Sequence, residues 1–174
     1  MKSLYLQDSQ VISSDIAVYA VQSTFNWERM FNTNVDKLAC KAYEIPLKDG
    51  SVDLVFSFQS AHHFLKHKSV LKEIYRILIN GGICIYLNEP SCNKYMYPLA
   101  YKRVNKKRSV PEDVLIYKNI LKLATDAGFT TIVNFDTSFI NRGPVETIYY
   151  YILGKISGLK YILPCGMDYI FTKL

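Results

Sequence analysis

The segment from Lys41 to Pro90 constrains the fold of this 174-residue chain most, because it contains two strand-like runs with a helix-like stretch between them. Val52–Phe58 is rich in apolar, β-branched and aromatic residues, which predicts a strand buried on both faces of a parallel sheet. Ser69–Ile79 has apolar residues at helical spacing, and Ile83–Leu87 is a second buried strand. Gly81–Gly82 is expected to end the helix, since glycine accepts a left-handed conformation there. The pattern predicts a βαβ unit, hence an α/β fold with a mostly parallel sheet and helices on both faces.

Further elements are predicted on either side of this unit. Before it we expect two strands and a helix, and after it a capped helix, a strand, a tyrosine-rich helix and a final antiparallel strand. The tyrosine-rich helix is expected to form an insertion at about 140–164, with Val145, Ile148, Tyr149, Ile152 and Ile156 on one apolar side. In chain order the ranges are Val11–Ile16, 17–30, Lys37–Tyr43, Ser109–Gly128, Thr130–Phe135, Val145–Tyr161 and Gly166–Lys173.

Length, charge and cysteine spacing restrict the class of protein. A mass of 20.0 kDa predicts one domain, 1–174, large enough to bury a core. The net charge is +6, yet only Lys102–Arg108 forms a basic run. That run suits an anionic substrate, a nucleic acid or an acidic membrane surface, or else a solvated connection, which we favour because no nucleic-acid motif accompanies it. Four widely spaced cysteines and no signal peptide or membrane span predict a reduced, cytoplasmic protein.

Five short motifs follow one another through the central segment. They are Ile45–Leu47 (IPL), Ser51–Asp53 (SVD), Ala61–His63 (AHH), Glu73–Leu78 (EIYRIL) and Asn80–Gly82 (NGG). In order and spacing they resemble the middle of the class I S-adenosylmethionine-dependent methyltransferases, in particular the type 11-like branch that acts on small molecules. The resemblance implies a Rossmann-like methyltransferase fold.

The chain departs from that family at its beginning. The family's first strand and its glycine-rich cofactor loop have no counterpart, since no glycine precedes Gly50. In the family this strand lies between the second and the fourth, so its loss would leave two rows of unpaired backbone groups. The chain is therefore a fragment of a longer gene, or Lys2–Leu6 replaces the strand, or the second and fourth strands pair directly, or a partner chain or second copy covers the open sheet. We favour a truncated product with a rearranged or narrowed sheet.

The resemblance implies S-adenosylmethionine as the cofactor. Asp15 stands where the family's acid binds the ribose hydroxyls, although an Asp there also suits a helix cap. Ala42 and Tyr43 lie where the family packs on adenine, next to Lys41, which replaces an acid common in the family. Ser57–Gln59 would face the cofactor from the end of the fourth family strand.

The histidine pair provides the candidate catalytic residues. His62 and His63 follow a strand at the carboxyl edge of the sheet, where such folds bind ligands, and either is a candidate base. The alternative is that one ring packs against the sheet and the other bonds backbone. No metal site is predicted, because His63 and His67 lack a third ligand at suitable spacing. The expected function is methyl transfer to an unidentified small molecule; the alternative is an inactive remnant that acts as a binding or partner module.

Overall fold

The computed structural model of the protein describes residues 9–24, 28–29, 34–106, 112–138 and 143–174. The chain divides into two compact units, Met1–Leu47 and Lys48–Leu174. The proposed replacement strand Lys2–Leu6 lies outside the described residues. The assignment of the whole chain to a single domain stays a prediction, and each unit is considered by itself below.

The first unit contains a small parallel sheet. β1 (Ile12–Asp15) pairs with β2 (Asp36–Ala39), and α1 (Val18–Gln22) follows β1. Both strands were predicted, whereas α1 is shorter than the expected helix over 17–30. Glu28 supports the entry to β2, because its Oε1 accepts the backbone N–H of Val35 at 2.8 Å.

The second unit is built on a five-stranded sheet. β4 is central to it: β3 and β5 run parallel to β4, while β7 is antiparallel to both β4 and β6. This arrangement confirms the mixed α/β fold with an antiparallel last strand. The strands are β3 (Val52–Phe58), β4 (Leu78–Cys92), β5 (Leu115–Ile116), β6 (Phe129–Phe135) and β7 (Cys165–Lys173).

In the described part of this unit, four helices accompany the sheet: α2 (His67–Ile77), α3 (Tyr97–Val104), α4 (Tyr117–Asp126) and α5 (Pro144–Lys155). Short 3-10 turns lie at Ala61–His63, Lys94–Met96 and Leu159–Tyr161. As predicted, α5 lies between the last two strands of the chain, β6 and β7.

The end of α2 differs from the prediction. The helix ends at Ile77, and β4 begins at once with Leu78, so the glycine pair lies inside a strand rather than at a helix end. Gly81 has a φ of 81°, the left-handed value, but it lies four residues after the last helical residue, which is too far along the chain to cap α2. The carbonyls of Tyr75 and Leu78 instead accept hydrogen bonds from Nζ of Lys173 at 2.8 and 2.6 Å. A distant lysine thus satisfies groups at the helix end that glycine was expected to cap.

The start of α4 differs as well. The expected capping box lies mostly in 107–111, outside the described residues, and its last member, Glu112, is not helical. α4 begins at Tyr117 and ends beside Gly128, whose φ of 107° confirms the predicted stop. A Cβ at Gly128 would lie 2.9 Å from the ring of Tyr75, so packing also requires glycine there.

Aromatic side chains fill the core of the second unit. Tyr86 on β4 and Phe171 on β7 are fully buried and meet edge to face at 5.2 Å between ring centroids. Phe129, on β6, contacts the rings of Phe171 on β7 and Tyr75 on α2. The contact with Tyr75 ties the helix to the sheet. Such pairs add to the stabilisation that burial alone gives. The core therefore fixes the positions of β4 and β7, the two strands that carry the site.

Two expectations about burial are wrong. Leu54, Phe56 and Phe58 are alternate residues on one face of β3 and are 40%, 43% and 60% exposed, so this face of the strand is open to solvent. Likewise α5 buries Tyr150 and Leu153 instead of its expected apolar side, whose Val145, Ile148, Ile152 and Ile156 are exposed.

Pairing of the second and fourth family strands is also contradicted, since their counterparts β1 and β3 belong to different sheets in the described chain. None of the four cysteines, all of which lie in the described ranges, forms a disulfide. No helix in the described ranges has the length and apolar composition needed to cross a membrane.

Candidate functional site

A buried carboxylate, Glu89, organises the site. It lies on β4 with no exposed surface, and its carboxylate accepts four hydrogen bonds. Oε1 accepts the backbone N–H groups of Ser60 and Ala61 at 2.9 Å each. Oε2 accepts the backbone N–H of His62 at 3.1 Å and its ring Nδ1–H at 2.7 Å. A buried carboxylate is tolerated only with such partners, so Glu89 fixes the turn that follows β3.

The bond from Glu89 also orients the imidazole of His62. Because Nδ1–H donates to the carboxylate, the neutral ring carries its lone pair on Nε2. That atom lies 3.7 Å from Oε2 of Glu112. The exposed His63 ring lies beside it, with 4.1 Å between the centroids. A buried imidazole held in one tautomer is the arrangement expected of a proton acceptor or a metal ligand.

These groups open into a cavity of about 450 Å³ at the carboxyl ends of β3 and β4. The lining is mixed, with charged, aromatic and small residues from six parts of the second unit. It comprises Gln59, His62, His63, Asn88, Pro90, Ser91, Ala100, Arg103, Val104, Glu112, Val114, Glu146, Tyr150, Pro164, Cys165 and Gly166. A polar cavity at this edge is the usual ligand site of open α/β sheets.

Unusual backbone conformations shape the cavity floor. Gln59 and Asn88 have φ values of 48° and 53°, in the left-handed region. The backbone N–H of Asn88 donates to Asp168 at 2.8 Å, which holds the bend in β4. A Cβ at Gly166 would lie 2.8 Å from Oδ1 of Asn88, so a larger residue there would displace that side-chain oxygen. Strain of this kind is concentrated at functional sites in proteins.

The charged groups of the cavity are held from several sides. The side-chain amide of Asn105 accepts the backbone N–H of Glu112 at 2.7 Å and donates to its carbonyl at 2.9 Å. These two hydrogen bonds fix the backbone that carries the Glu112 carboxylate. Arg103 lies 3.5 Å from a carboxylate oxygen of Glu146 and 5.2 Å from the ring centroid of Tyr149. Burial raises the pKa of Tyr149 to about 12, so it is protonated at neutral pH.

Of the residues predicted in the second unit, the two histidines and Gln59 line the cavity together. Ser57 shares a hydrogen bond of 2.7 Å with Ser60, at the exposed end of β3. Phe58 presents a mostly exposed ring at the same end. The roles expected of Ser57, Phe58 and Gln59 toward a cofactor stay predictions.

The predicted residues of the first unit lie at the carboxyl ends of its strands. Asp15 is exposed at the end of β1, and its Oδ1 accepts the backbone N–H of Ala17 at 2.8 Å. Half-buried Ala42 and Tyr43 occupy a turn closed by Lys41 and Glu44, whose charged groups lie 3.1 Å apart. One oxygen of the exposed Asp15 carboxylate accepts a hydrogen bond within the turn. The other oxygen can accept hydrogen bonds from a ligand, which suits the two hydroxyls of a ribose. The roles expected of Asp15, Ala42 and Tyr43 toward the ribose and the adenine stay predictions.

Two acids of the site were missed by sequence reasoning. Glu89 is the first acid after the apolar strand Ile83–Leu87, yet it was not among the residues predicted for the site. Glu112 was assigned to a helix cap, and no local signal places it beside the histidines, which precede it by about fifty residues.

Residues 1–86, just under half of the chain, match the model of one protein family, described as a methyltransferase domain. No curated protein matches the sequence. A putative methyltransferase from Bacillus halodurans C-125 is structurally similar, with a TM-score of 0.64, 16% identity, and coverage of 94% of this chain and 81% of that one.

Geranyl diphosphate C-methyltransferase from Streptomyces coelicolor A3(2), solved with Mg²⁺, geranyl diphosphate and S-adenosyl-L-homocysteine, gives a TM-score of 0.71 at 13% identity. That similarity covers 95% of this chain and 64% of the other. The cyclase SpnF gives 0.67 at 16% identity, covering 94% of this chain and 66% of that one. The fold is therefore that of the class I methyltransferases, and the resemblance noted in the sequence is confirmed. S-adenosylmethionine is the cofactor of this family.

Proposed function

We propose that the chain transfers a methyl group from S-adenosylmethionine to a small molecule bound in the cavity beside His62. The observation that carries this proposal is the pair formed by His62 and Glu89, with Nε2 directed toward the cavity. Fold similarity alone is weaker support, because one structural neighbour is named as a cyclase.

The cofactor would supply the electrophilic methyl group. Asp15 would accept hydrogen bonds from the ribose hydroxyls, and Ala42 and Tyr43 would pack against the adenine. Ser57–Gln59 would face the rest of the cofactor from the end of β3.

His62 would remove the proton from the acceptor as it attacks the methyl group. Its Nε2 takes the proton, and the Glu89 carboxylate stabilises the imidazolium that forms through the 2.7 Å bond at Nδ1. Positioned bases of this kind contribute roughly 100- to 10,000-fold to the rate. His63 is exposed beside this ring and would contact the acceptor rather than take its proton.

The acceptor class follows from the lining of the cavity. Acidic Glu112 and Glu146 accompany one arginine, Arg103, and several uncharged polar groups. A small polar molecule with a hydroxyl or amine as nucleophile suits this lining, since both groups need a proton acceptor and both bond to carboxylates.

The test is methyl incorporation from radiolabelled S-adenosylmethionine into a panel of small hydroxyl and amine compounds. With an accepted compound, His62→Gln is expected to lower kcat about 100- to 1,000-fold. His63→Gln is the matched control and is expected to lower kcat far less. Equal kcat values in wild type and His62→Gln would refute the role of His62. Cofactor binding without transfer to any compound would favour the inactive binding module.

A further inference from the structure

We propose that His62, His63 and Glu112 form a binding site for a divalent transition-metal ion of the zinc class. Each side chain offers one ligand atom, and the three atoms all lie within 4.8 Å of one another. The site opens into the cavity, which leaves a coordination position for water or another ligand. The sequence predicted no such site, because its third ligand comes from a distant part of the chain.

The donor atoms select the class of metal. Two imidazole nitrogens and one carboxylate oxygen form a ligand set typical of catalytic zinc sites, and the same set suits Co²⁺, Ni²⁺ and Fe²⁺. Hard ions such as Mg²⁺ and Ca²⁺ prefer oxygen ligands throughout, so the histidine pair disfavours them.

The separations suit a single ion. Two ligand atoms that each lie about 2.1 Å from one metal are at most about 4.2 Å apart. The 3.7 Å between Nε2 of His62 and Oε2 of Glu112 meets this limit as it stands. The remaining separations are at most 4.8 Å, and His63, as an exposed residue, has room for the rotation that binding to a single ion would require.

Groups behind the ligands complete the site. Metal-binding histidines usually donate the other ring N–H to a carboxylate, which is the bond that His62 makes to buried Glu89. Asn105 fixes the backbone of Glu112 from both sides. Both ligands are therefore held in place before the ion arrives, which lowers the entropy cost of binding.

This inference shares His62 with the proposed function but does not depend on methyl transfer. An ion on Nε2 occupies the lone pair that the proposed base needs. Metal-loaded protein is therefore expected to transfer methyl groups more slowly, and chelation to restore the rate. Metal binding itself is measured without any cofactor or acceptor, so failure of either proposal can be recognised separately.

The experiment is calorimetric titration of chelator-treated protein with Zn²⁺, supported by visible absorption with Co²⁺. One equivalent is expected to bind, with tetrahedral Co²⁺ absorption. Glu112→Gln and His63→Gln are expected to weaken binding at least tenfold, and Glu89→Gln about 10- to 100-fold. Glu146→Gln, a second carboxylate of the same cavity, is the matched control and keeps wild-type affinity.

Thermal unfolding of each variant shows whether it is folded, and His63→Gln, at an exposed position, keeps the proposal testable should another variant unfold. Unchanged Zn²⁺ affinity in both Glu112→Gln and His63→Gln would overturn the proposal, because it would place the ion elsewhere, for example on cysteines. Absence of Zn²⁺ binding to the wild-type protein would overturn it as well.

Discussion

Replacing Glu89 tests the organisation of the site most severely. In Glu89→Ala, three backbone N–H groups and the Nδ1–H of His62 lose their acceptor at a position with no exposed surface. Each orphaned buried donor costs about 1–3 kcal/mol, although the four losses are not additive. We expect the free energy of unfolding to fall by about 3–5 kcal/mol, as when one member of a buried charged pair is removed. In Glu89→Gln one oxygen becomes an N–H donor facing two other donors, so the expected loss is about 2–4 kcal/mol.

The assay is urea denaturation followed by circular dichroism, with the free energy of unfolding extrapolated to water. Glu146→Gln is the control: it removes an exposed carboxylate and is expected to change stability by less than about 0.5 kcal/mol. A change below about 1 kcal/mol in Glu89→Ala would refute the buried network, because it would mean that water reaches these donors or that they have other acceptors.

Three further outcomes are expected from stability measurements. Leu71→Ala, at a fully buried position, lowers the free energy of unfolding by about 2–5 kcal/mol. Leu54→Ala, on the exposed face of β3, lowers it by less than about 1 kcal/mol. Equal losses in the two variants would contradict the exposure of this face. Burial lowers the pKa of His67 below its ordinary 6.5, so the unfolded state binds more protons and stability falls as the pH drops below about 7. His67→Leu reduces that slope in urea titrations at several pH values, and an unchanged slope would exclude His67 as its source. Tyr169→Phe removes the buried hydrogen bond of 2.7 Å to Ser91 and costs about 1–2 kcal/mol in the same assay; no change would mean that the bond adds nothing.

The sequence predicts the strands of this fold well because apolar runs report burial along the chain. Val52–Phe58 and the strand around Ile83–Leu87 were recognised in this way. Such a run does not show whether another element of the chain covers it. For this reason the exposure of Phe58 was not predicted. The end of α2 was misplaced for a related reason: its last carbonyls are satisfied by Lys173, almost a hundred residues later in the chain.

The residues of the candidate site likewise divide into those that a local sequence pattern reveals and those that only the fold brings in. His62 and His63 belong to a local motif and were found from it. The contribution of Glu89 depends on the register between β3 and β4, and that of Glu112 on how the chain returns to the cavity after α3. No local pattern places either acid beside the histidines, so the proposed base pair and the proposed metal ligands can be recognised only in the folded chain.

The most direct test of the account is calorimetric titration of the purified protein with S-adenosylhomocysteine. We expect wild type to bind in the micromolar range and Asp15→Ala to lose most of that affinity. Asp15→Asn is the matched control for the turn, because its side-chain oxygen can still accept the N–H of Ala17 while the carboxylate charge is gone; it should bind weakly too. No binding to wild type at high ligand concentration would contradict the assignment of methyl transfer to this chain.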